Sequence, residues 1–401
     1  MTPLFKKFLG INWIIMINML ALVVFGVYAI YNATYFRDDL WSGKWREQMH
    51  YALMGIPIVF IVALTDYRWV RWACVPLYLL GIAGLIALEF WGIEIKGNKA
   101  WINIGGRSVQ PSQIAMLAGI VTMAVVFGEL PRIWSVFRRP WLRLMVAGIL
   151  AAVPAAMVIK EDLGSGLVWG PVFLSMMLVG SIPFRYMIVL IQGVMCVVPL
   201  VYVFALKDYQ KDRINTAYYM LTNQEDKVDR KNEGYVANYM QIAVASAGLE
   251  GKGPLSIKVP EQKSVHHTFF PNEGANDFIF SVIAEEFGFR GSLMLLSFIA
   301  LLLFQIVFVA FYARDQLGRL LAVGVGAMFF AHTFQHAGMN LNMLPIIGIP
   351  LPFISAGGTF LLVSLFLMGM VQSVWVHRNI SAAKKKAGAG GGWDDADDDE
   401  D

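Results

Sequence analysis

One aspartate, Asp277, stands where seventy mostly polar residues, Lys207 to Asn276, give way to the apolar run Phe278-Ile279-Phe280-Ser281-Val282-Ile283-Ala284. An ionised carboxylate is costly inside hydrocarbon, so in a chain that is 57% apolar it is expected at the mouth of a cavity, serving chemistry or ion handling. Helix capping is the structural alternative. Against it, His266, His267 and Glu273 crowd the same approach. A second acid, Asp162, lies in the short connection Lys160-Glu161-Asp162-Leu163-Gly164-Ser165-Gly166, where an N-cap is the simplest role and the glycines allow close backbone approach. Beyond Asp277 the spacing predicts an i,i+4 ion pair of Glu286 with Arg290, leaves Glu285 without an obvious partner, and suggests that this stretch lines the cavity beneath Asp277. His332 and His336 are four apart on one helical face, as metal ligands can be. With no matching acid or cysteine, the pattern points to interhelical hydrogen bonding instead.

The elements that must position these groups are membrane spans. Charged residues make up only 15% of the 401 and mean hydropathy is +0.57, so water is not the main solvent of the chain. An all-α polytopic membrane protein follows, with about ten apolar helices near 12–33, 50–66, 72–92, 113–129, 142–159, 163–181, 184–206, 278–312, 317–340 and 357–377. The eighth is long enough to include a lead-in segment. Placing Lys6 and Lys7 in the cytoplasm brings Arg68, Arg71, Arg132, Arg138, Arg139, Arg143, Arg185, Arg314, Arg319 and Arg378 to the same side. Both termini are therefore expected in the cytoplasm, with the loop of about 207–276, between helices seven and eight, outside. The only cysteines, Cys74 and Cys196, fall inside spans and imply no disulfide framework. The first helix reads as a retained span rather than a signal peptide. Residues 379–401, lysines followed by an acidic run, are expected to form a disordered cytoplasmic tail whose lysines can meet anionic headgroups. No nucleic-acid partner is implied.

Two further segments contain more than a connection needs. Lys99 to Ser112 suggests an interfacial hairpin turning at Gly105-Gly106, with Pro111-Ser112 opening the next helix. Met343 to Thr359 is too rich in proline and glycine for a regular span and is expected to be a broken, protein-covered loop.

The wording Gly348-Ile349-Pro350-Leu351-Pro352-Phe353-Ile354-Ser355-Ala356-Gly357-Gly358-Thr359 closely resembles the signature of the SEDS family (shape, elongation, division and sporulation), whose RodA branch carries GIPLPFISYGGS. Asp277 to Gly288 resembles that family's DFIFSVIAEELG, Asp162 to Ser165 its DLGT, and Arg213-Ile214 its RI motif at the start of the long loop. The motifs occur in order from about the first span to Arg378. There are departures. Ala356 replaces a tyrosine, Ala100 an arginine, and Gln113 and Met116 stand where an acid and a lysine are usual. Losing both members of a charged pair together leaves no stranded charge, so the fold is expected to survive. Pro271 precedes Asp277 by one extra residue and Asn276 replaces a threonine, while Asp277 is retained.

The resemblance implies a SEDS-like domain over 1–378 that acts as a peptidoglycan glycosyltransferase, polymerising lipid II on the outer face of the bacterial cytoplasmic membrane in cell elongation and shape. Asp277 is then the expected general base toward the acceptor sugar hydroxyl. Arg213, Lys99, Arg107 and Lys160 are candidates to neutralise the leaving lipid pyrophosphate, with Asp162 and Ser355 as further substrate-binding candidates. A divalent cation could share that work, and no protein metal site is expected. The implied partners are lipid II, the growing glycan strand, membrane lipids and a class B penicillin-binding protein. A lipid II flippase and an idle scaffold for that protein are the alternatives. Clustering of the motifs outside speaks against the flippase and retention of Asp277 against the scaffold.

Overall fold

The structure, a computed structural model, describes residues 2–35, 43–95, 98–204, 206, 208–222, 224, 233–254 and 274–378. His266, His267, Pro271, Glu273 and the 379–401 tail lie outside the described residues. A short helix α1 (Pro3–Leu9) leads into α2 (Trp13–Thr34), which Asn12 caps by accepting from the Ile15 N–H. Then come α3 (Lys44–Leu64), α4 (Val70–Trp91), a small sheet, α5 (Pro111–Gly128), α6 (Leu130–Ile133) and α7 (Pro140–Glu161). Two short helices, α8 (Leu163–Leu167) and α9 (Trp169–Val179), precede α10 (Phe184–Phe204). Helices α11 (Asp208–Leu221) and α12 (Glu233–Ser246) lie in the long loop, before α13 (Ile279–Tyr312), α14 (Gln316–Asn340) and α15 (Gly358–Val376).

The polytopic helical architecture expected from the sequence is present. Nine helices among the described residues are long and apolar enough to cross a bilayer, and the expected span at 163–181 is instead the shorter apolar pair α8 and α9, covering Leu163–Val179. The middle of the bundle is α5, where every residue except Ile114 is buried. Gln113 and Met116 sit there, 1% and 3% exposed, so the positions that depart from the family pattern are packed in the core where a single charge would be costly. At the other extreme, α10 buries none of its residues against the chain. Only Tyr186, Met187 and Leu190 near its start pack against the core, and a helix this apolar with so little protein cover is one solvated largely by lipid.

Two features bear directly on the site. First, β1 (Gly92–Ile95), β2 (Asn98–Ile104) and β3 (Arg107–Val109) form the expected hairpin, with Ile104 opposite Arg107 and a turn in which Gly105 (φ +59) and Gly106 (φ +79) are both left-handed. Second, α13 is broken at Gly288 (φ +66, ψ −164), so its first nine residues form a separate lead-in segment. The backbone freed there is satisfied by a segment of the long loop just after α12: Lys252 N–H donates to Glu285 O and Gly253 N–H to Glu286 O, while Phe289 and Arg290 N–H groups donate to Gly248 and Leu249 carbonyls.

This break corrects two expectations. Glu286 does not pair with Arg290, because Gly288 takes the two residues out of one helical register. Arg290 instead pairs with Glu250 at 2.7 Å, and Glu286 accepts from Asn32 on α2 at 3.2 Å. Glu285 does have a partner, Lys252, at 2.6 Å. Both glutamates are buried, 0% and 2% exposed, and pack inside the bundle rather than lining an open cavity.

Candidate active site

Asp277 occupies the turn before α13, and it is not the helix cap, a position held by Phe278. It is partly exposed. One carboxylate oxygen lies 3.2 Å from where a side chain on Gly348 would begin, so the Asp277 head rests against the broken loop at a glycine with φ +65. That loop, 341–357, runs between α14 and α15 without regular structure, as the sequence predicts. Its core residues Ile349, Leu351, Phe353, Ile354 and Ser355 are all buried, with Phe353 at φ +66 where a non-glycine residue is strained.

The Asp277 turn is tied to the loop at two points and to the end of α14 at a third. Ser355 Oγ donates to Asn276 O at 2.8 Å and accepts from Leu351 N–H, and Ala356 N–H donates to Ala275 O at 2.9 Å. Asn340 Nδ2 donates to Asp277 O at 3.0 Å. Gln48 on α3, 2% exposed, reaches across to donate to Ser355 O and accept from Gly357 N–H, both at 3.1 Å. Ser355 is thus a buried brace rather than a substrate contact, which revises its expected role. Gln48 and Asn340 were not singled out by sequence reasoning. Nothing distinguishes them from other polar residues near helix ends until the loop is seen folded over them.

Beside this brace opens a chamber of about 500 Å³. Its walls come from α3 (Lys44, Glu47, Tyr51), from the hairpin (Trp101, Arg107) and from Asn276 with Ala356 to Gly358. Ala356, standing where the resemblance leads one to expect tyrosine, leaves that wall without a large side chain. Arg107 lies over the Tyr51 ring at 5.8 Å. The chamber wall at Asn276 is one residue from Asp277.

Asp162 stands at the start of α8. It caps α8 as expected, accepting from Ser165 N–H at 3.1 Å and Ser165 Oγ at 2.6 Å, and it accepts from Gln110 Nε2 at 3.2 Å. Burial pushes its carboxyl above the usual range, while Ser165, nearby backbone N–H groups and the charge of Arg213 pull the other way. Gly164 packs so tightly on the loop that an added side chain would strike Ile347 O and Ile349. The expected close approach is made to this loop. Arg213, on α11, is therefore brought near Asp162, and it also faces Asn342, Leu344 and Ile346 of the loop. Above them, Ala237, Met240 and Ala243 of α12 pack on Phe278 and Ile346 and roof the turn.

Lys99 and Lys160 lie elsewhere. They meet Glu89 and Glu161 around a small cavity of about 60 Å³, where Lys160 pairs with Glu89 and Lys99 N–H donates to Glu161 at 3.3 Å. Lys160 is already matched by Glu89 and Glu161, and Lys99 lines the same small cavity, so of the four candidates Arg107 and Arg213 are the ones carried to the chamber and the loop. His332 and His336 hydrogen-bond as expected, though to the loop rather than to a helix: His336 Nδ1 donates to Ile349 O at 2.6 Å and His332 Nδ1 to Pro350 O at 3.3 Å.

Known proteins resemble this arrangement along nearly the whole chain. A family model described as cell cycle protein, FTSW_RODA_SPOVE, matches residues 12–380. The peptidoglycan glycosyltransferase MrdB of Escherichia coli (strain K12) is 30% identical over 363 residues, covering 90% of this chain and 92% of that protein. A probable peptidoglycan glycosyltransferase FtsW of Geobacter metallireducens is 32% identical over 371 residues, covering 90% and 93%. Among solved structures, a chain from a study of polymerization and crosslinking by a peptidoglycan synthase complex superimposes with a TM-score of 0.70 at 24% identity, covering 92% of this chain and 98% of that one. The rod shape determining protein RodA of Thermus thermophilus gives 0.62 at 22% identity, covering 92% and 97%. At those identities the structural likeness shows the fold.

Proposed function

The chain belongs to the FtsW/RodA/SpoVE family of cell cycle proteins, and from that premise we propose how it works as a peptidoglycan glycosyltransferase. It polymerises lipid II into glycan strands at the outer face of the bacterial inner membrane. The observation that carries the site assignment is the partly exposed Asp277, its carboxylate resting against the Gly348 loop and its neighbour Asn276 in the wall of the chamber.

The reaction needs few groups. A sugar hydroxyl attacks the anomeric carbon of a lipid-linked donor, the bond from that carbon to the pyrophosphate oxygen breaks, and the hydroxyl proton must go somewhere. Asp277 takes it as general base, which requires the carboxylate to be ionised and within hydrogen-bond reach of the hydroxyl. A carboxylate just above the acyl chains suits substrates whose sugars are in water and whose tails are in lipid. The departing pyrophosphate is dianionic or more, and cations fixed in advance stabilise it as charge develops. Arg107 on the chamber wall and Arg213 beside the loop supply them. Among the described residues no three His, Cys, Asp or Glu side chains gather as a ligand set. The partner is a class B penicillin-binding protein that crosslinks the strands as they emerge.

The test is polymerisation of lipid II by the purified chain with its transpeptidase partner. Asp277→Asn should lower turnover by on the order of 10²- to 10⁴-fold while leaving the melting transition of the complex unchanged. An asparagine variant with full turnover ends the general-base assignment. The same variant in sealed vesicles separates polymerisation from flipping, because a flippase would still move lipid II.

A further inference from the structure

The face of α14 turned toward the site carries His332, His336 and Asn340, spaced four and four, so that all three project along one stripe. None lines the chamber, and each makes a hydrogen bond to the backbone of the Asp277 turn or of the loop beside it.

Asn340 makes the more unusual contact. In a continuous helix the Ser281 N–H would donate to the Asp277 carbonyl, four residues back. Here the first such bond is one residue later, from Val282 N–H to Phe278 O at 3.1 Å. The Asn340 amide is inserted in the missing rung: its Nδ2 donates to Asp277 O at 3.0 Å, and its Oδ1 accepts from Ser281 N–H at 3.2 Å and Ser281 Oγ at 2.7 Å. A side-chain amide has the same donor and acceptor as a peptide group, so it satisfies both ends while holding Asp277 out of helical register. Its second amide hydrogen donates to His336 O at 2.8 Å, fixing its own rotamer.

His336, fully buried, secures the opposite wall. Its Nδ1 donates to Ile349 O at 2.6 Å, the residue after the Gly348 against which the carboxylate rests. Nε2 of the same ring is buried without a hydrogen-bond partner among the described residues, a cost the fold bears for the single bond on the other side.

We propose that His336 and Asn340 are positioning residues for Asp277, setting from one helix the backbone behind the carboxylate and the loop in front of it. The inference rests on Asp277 being the general base. Catalytic carboxylates tolerate little misplacement, and a shift of about 1 Å costs on the order of 100-fold in rate.

The experiment compares lipid II polymerisation by the full chain with its transpeptidase partner for His336→Leu, His336→Asn, Asn340→Ala and Asp277→Asn. Asparagine at 336 presents a donor at the position of the imidazole Nδ1, whereas leucine fills the space without one. Expected for His336→Leu and Asn340→Ala is a fall in turnover of roughly 10- to 100-fold with KM for lipid II within about threefold of the parent, and recovery of most of the turnover in His336→Asn. A purely structural role would not be rescued by the smaller asparagine and would not separate turnover from KM. Full turnover in folded His336→Leu overturns the proposal for His336, as does a His336→Asn variant no better than leucine. If leucine at 336 prevents folding, Asn340→Ala decides by the same separation. Failure of the underlying reading looks different: Asp277→Asn then stays active whatever the α14 variants do.

Discussion

Lys252 and Glu285 meet at 2.6 Å with the glutamate side chain 1% exposed and the lysine 35%, a pair with one member in the bundle and the other at its edge. Removing one partner of a fully buried pair costs about 3–5 kcal/mol, because the other charge is stranded. Since the lysine still sees solvent, Lys252→Met is expected to destabilise by about 2 kcal/mol, with Lys252→Met/Glu285→Gln recovering part of that, both read as shifts of the melting transition in detergent. The place of Asp277, in the turn where the polar loop meets the apolar run, was legible at this scale. The partners of Glu285 and Glu286 were not. Counting four residues from Glu286 to Arg290 presumes a continuous helix, and Gly288 breaks it. The true partners, Lys252 and Asn32, are 33 and 254 residues distant, where no local spacing points.

Two glycines account for that break at the level of elements. Gly251 (φ +78) and Gly288 (φ +66) face each other backbone to backbone, and a side chain on either would run into the other's segment, Gly251 into Glu286 and Gly288 N and Gly288 into Glu250 and Gly251 N. Gly248 (φ +62) has the same left-handed backbone but open space around it. Left-handed strain alone costs a non-glycine residue about 1–2 kcal/mol. Gly248→Ala should therefore lower stability by about 1 kcal/mol, while Gly251→Ala and Gly288→Ala, which add a steric clash with backbone, should lower it by at least about twice that. Equal melting transitions for the three would show that the strap formed by 247–254 does not depend on close approach. The hairpin at Gly105-Gly106, the start of α5 at Pro111 and the broken loop before α15 were all readable from turn chemistry. The strap was not, because glycine in a loop marks a turn but does not say what approaches it.

For the molecule as a whole, the described residues separate into two polar ends. One holds Asp277, Asp162, Arg213 and the chamber with Arg107. The other holds Arg68 with Asp315 at 3.5 Å, Glu129 with Arg71 at 3.8 Å and Arg132 at 3.6 Å, and Arg143 on the Gly180 carbonyl at 3.0 Å. Those are the arginines whose alternation along the sequence suggested a common side. For α7 and α10 to begin at that same end, the chain must return across the membrane between them, which makes α8 with α9 the tenth crossing. Its seventeen residues reach about 25 Å, just short of a hydrocarbon layer of about 30 Å. Ten crossings would place both termini on one side, and the positive-inside rule predicts that side to be cytoplasmic. With Cys74 and Cys196 replaced, single cysteines at exposed Ile104 and Val136 read the sidedness directly. Ile104→Cys should react with a membrane-impermeant maleimide in spheroplasts, and Val136→Cys only after permeabilisation. The reverse pattern would put Asp277 on the face where no glycan strand is assembled, so the orientation and the proposed chemistry stand on the same result.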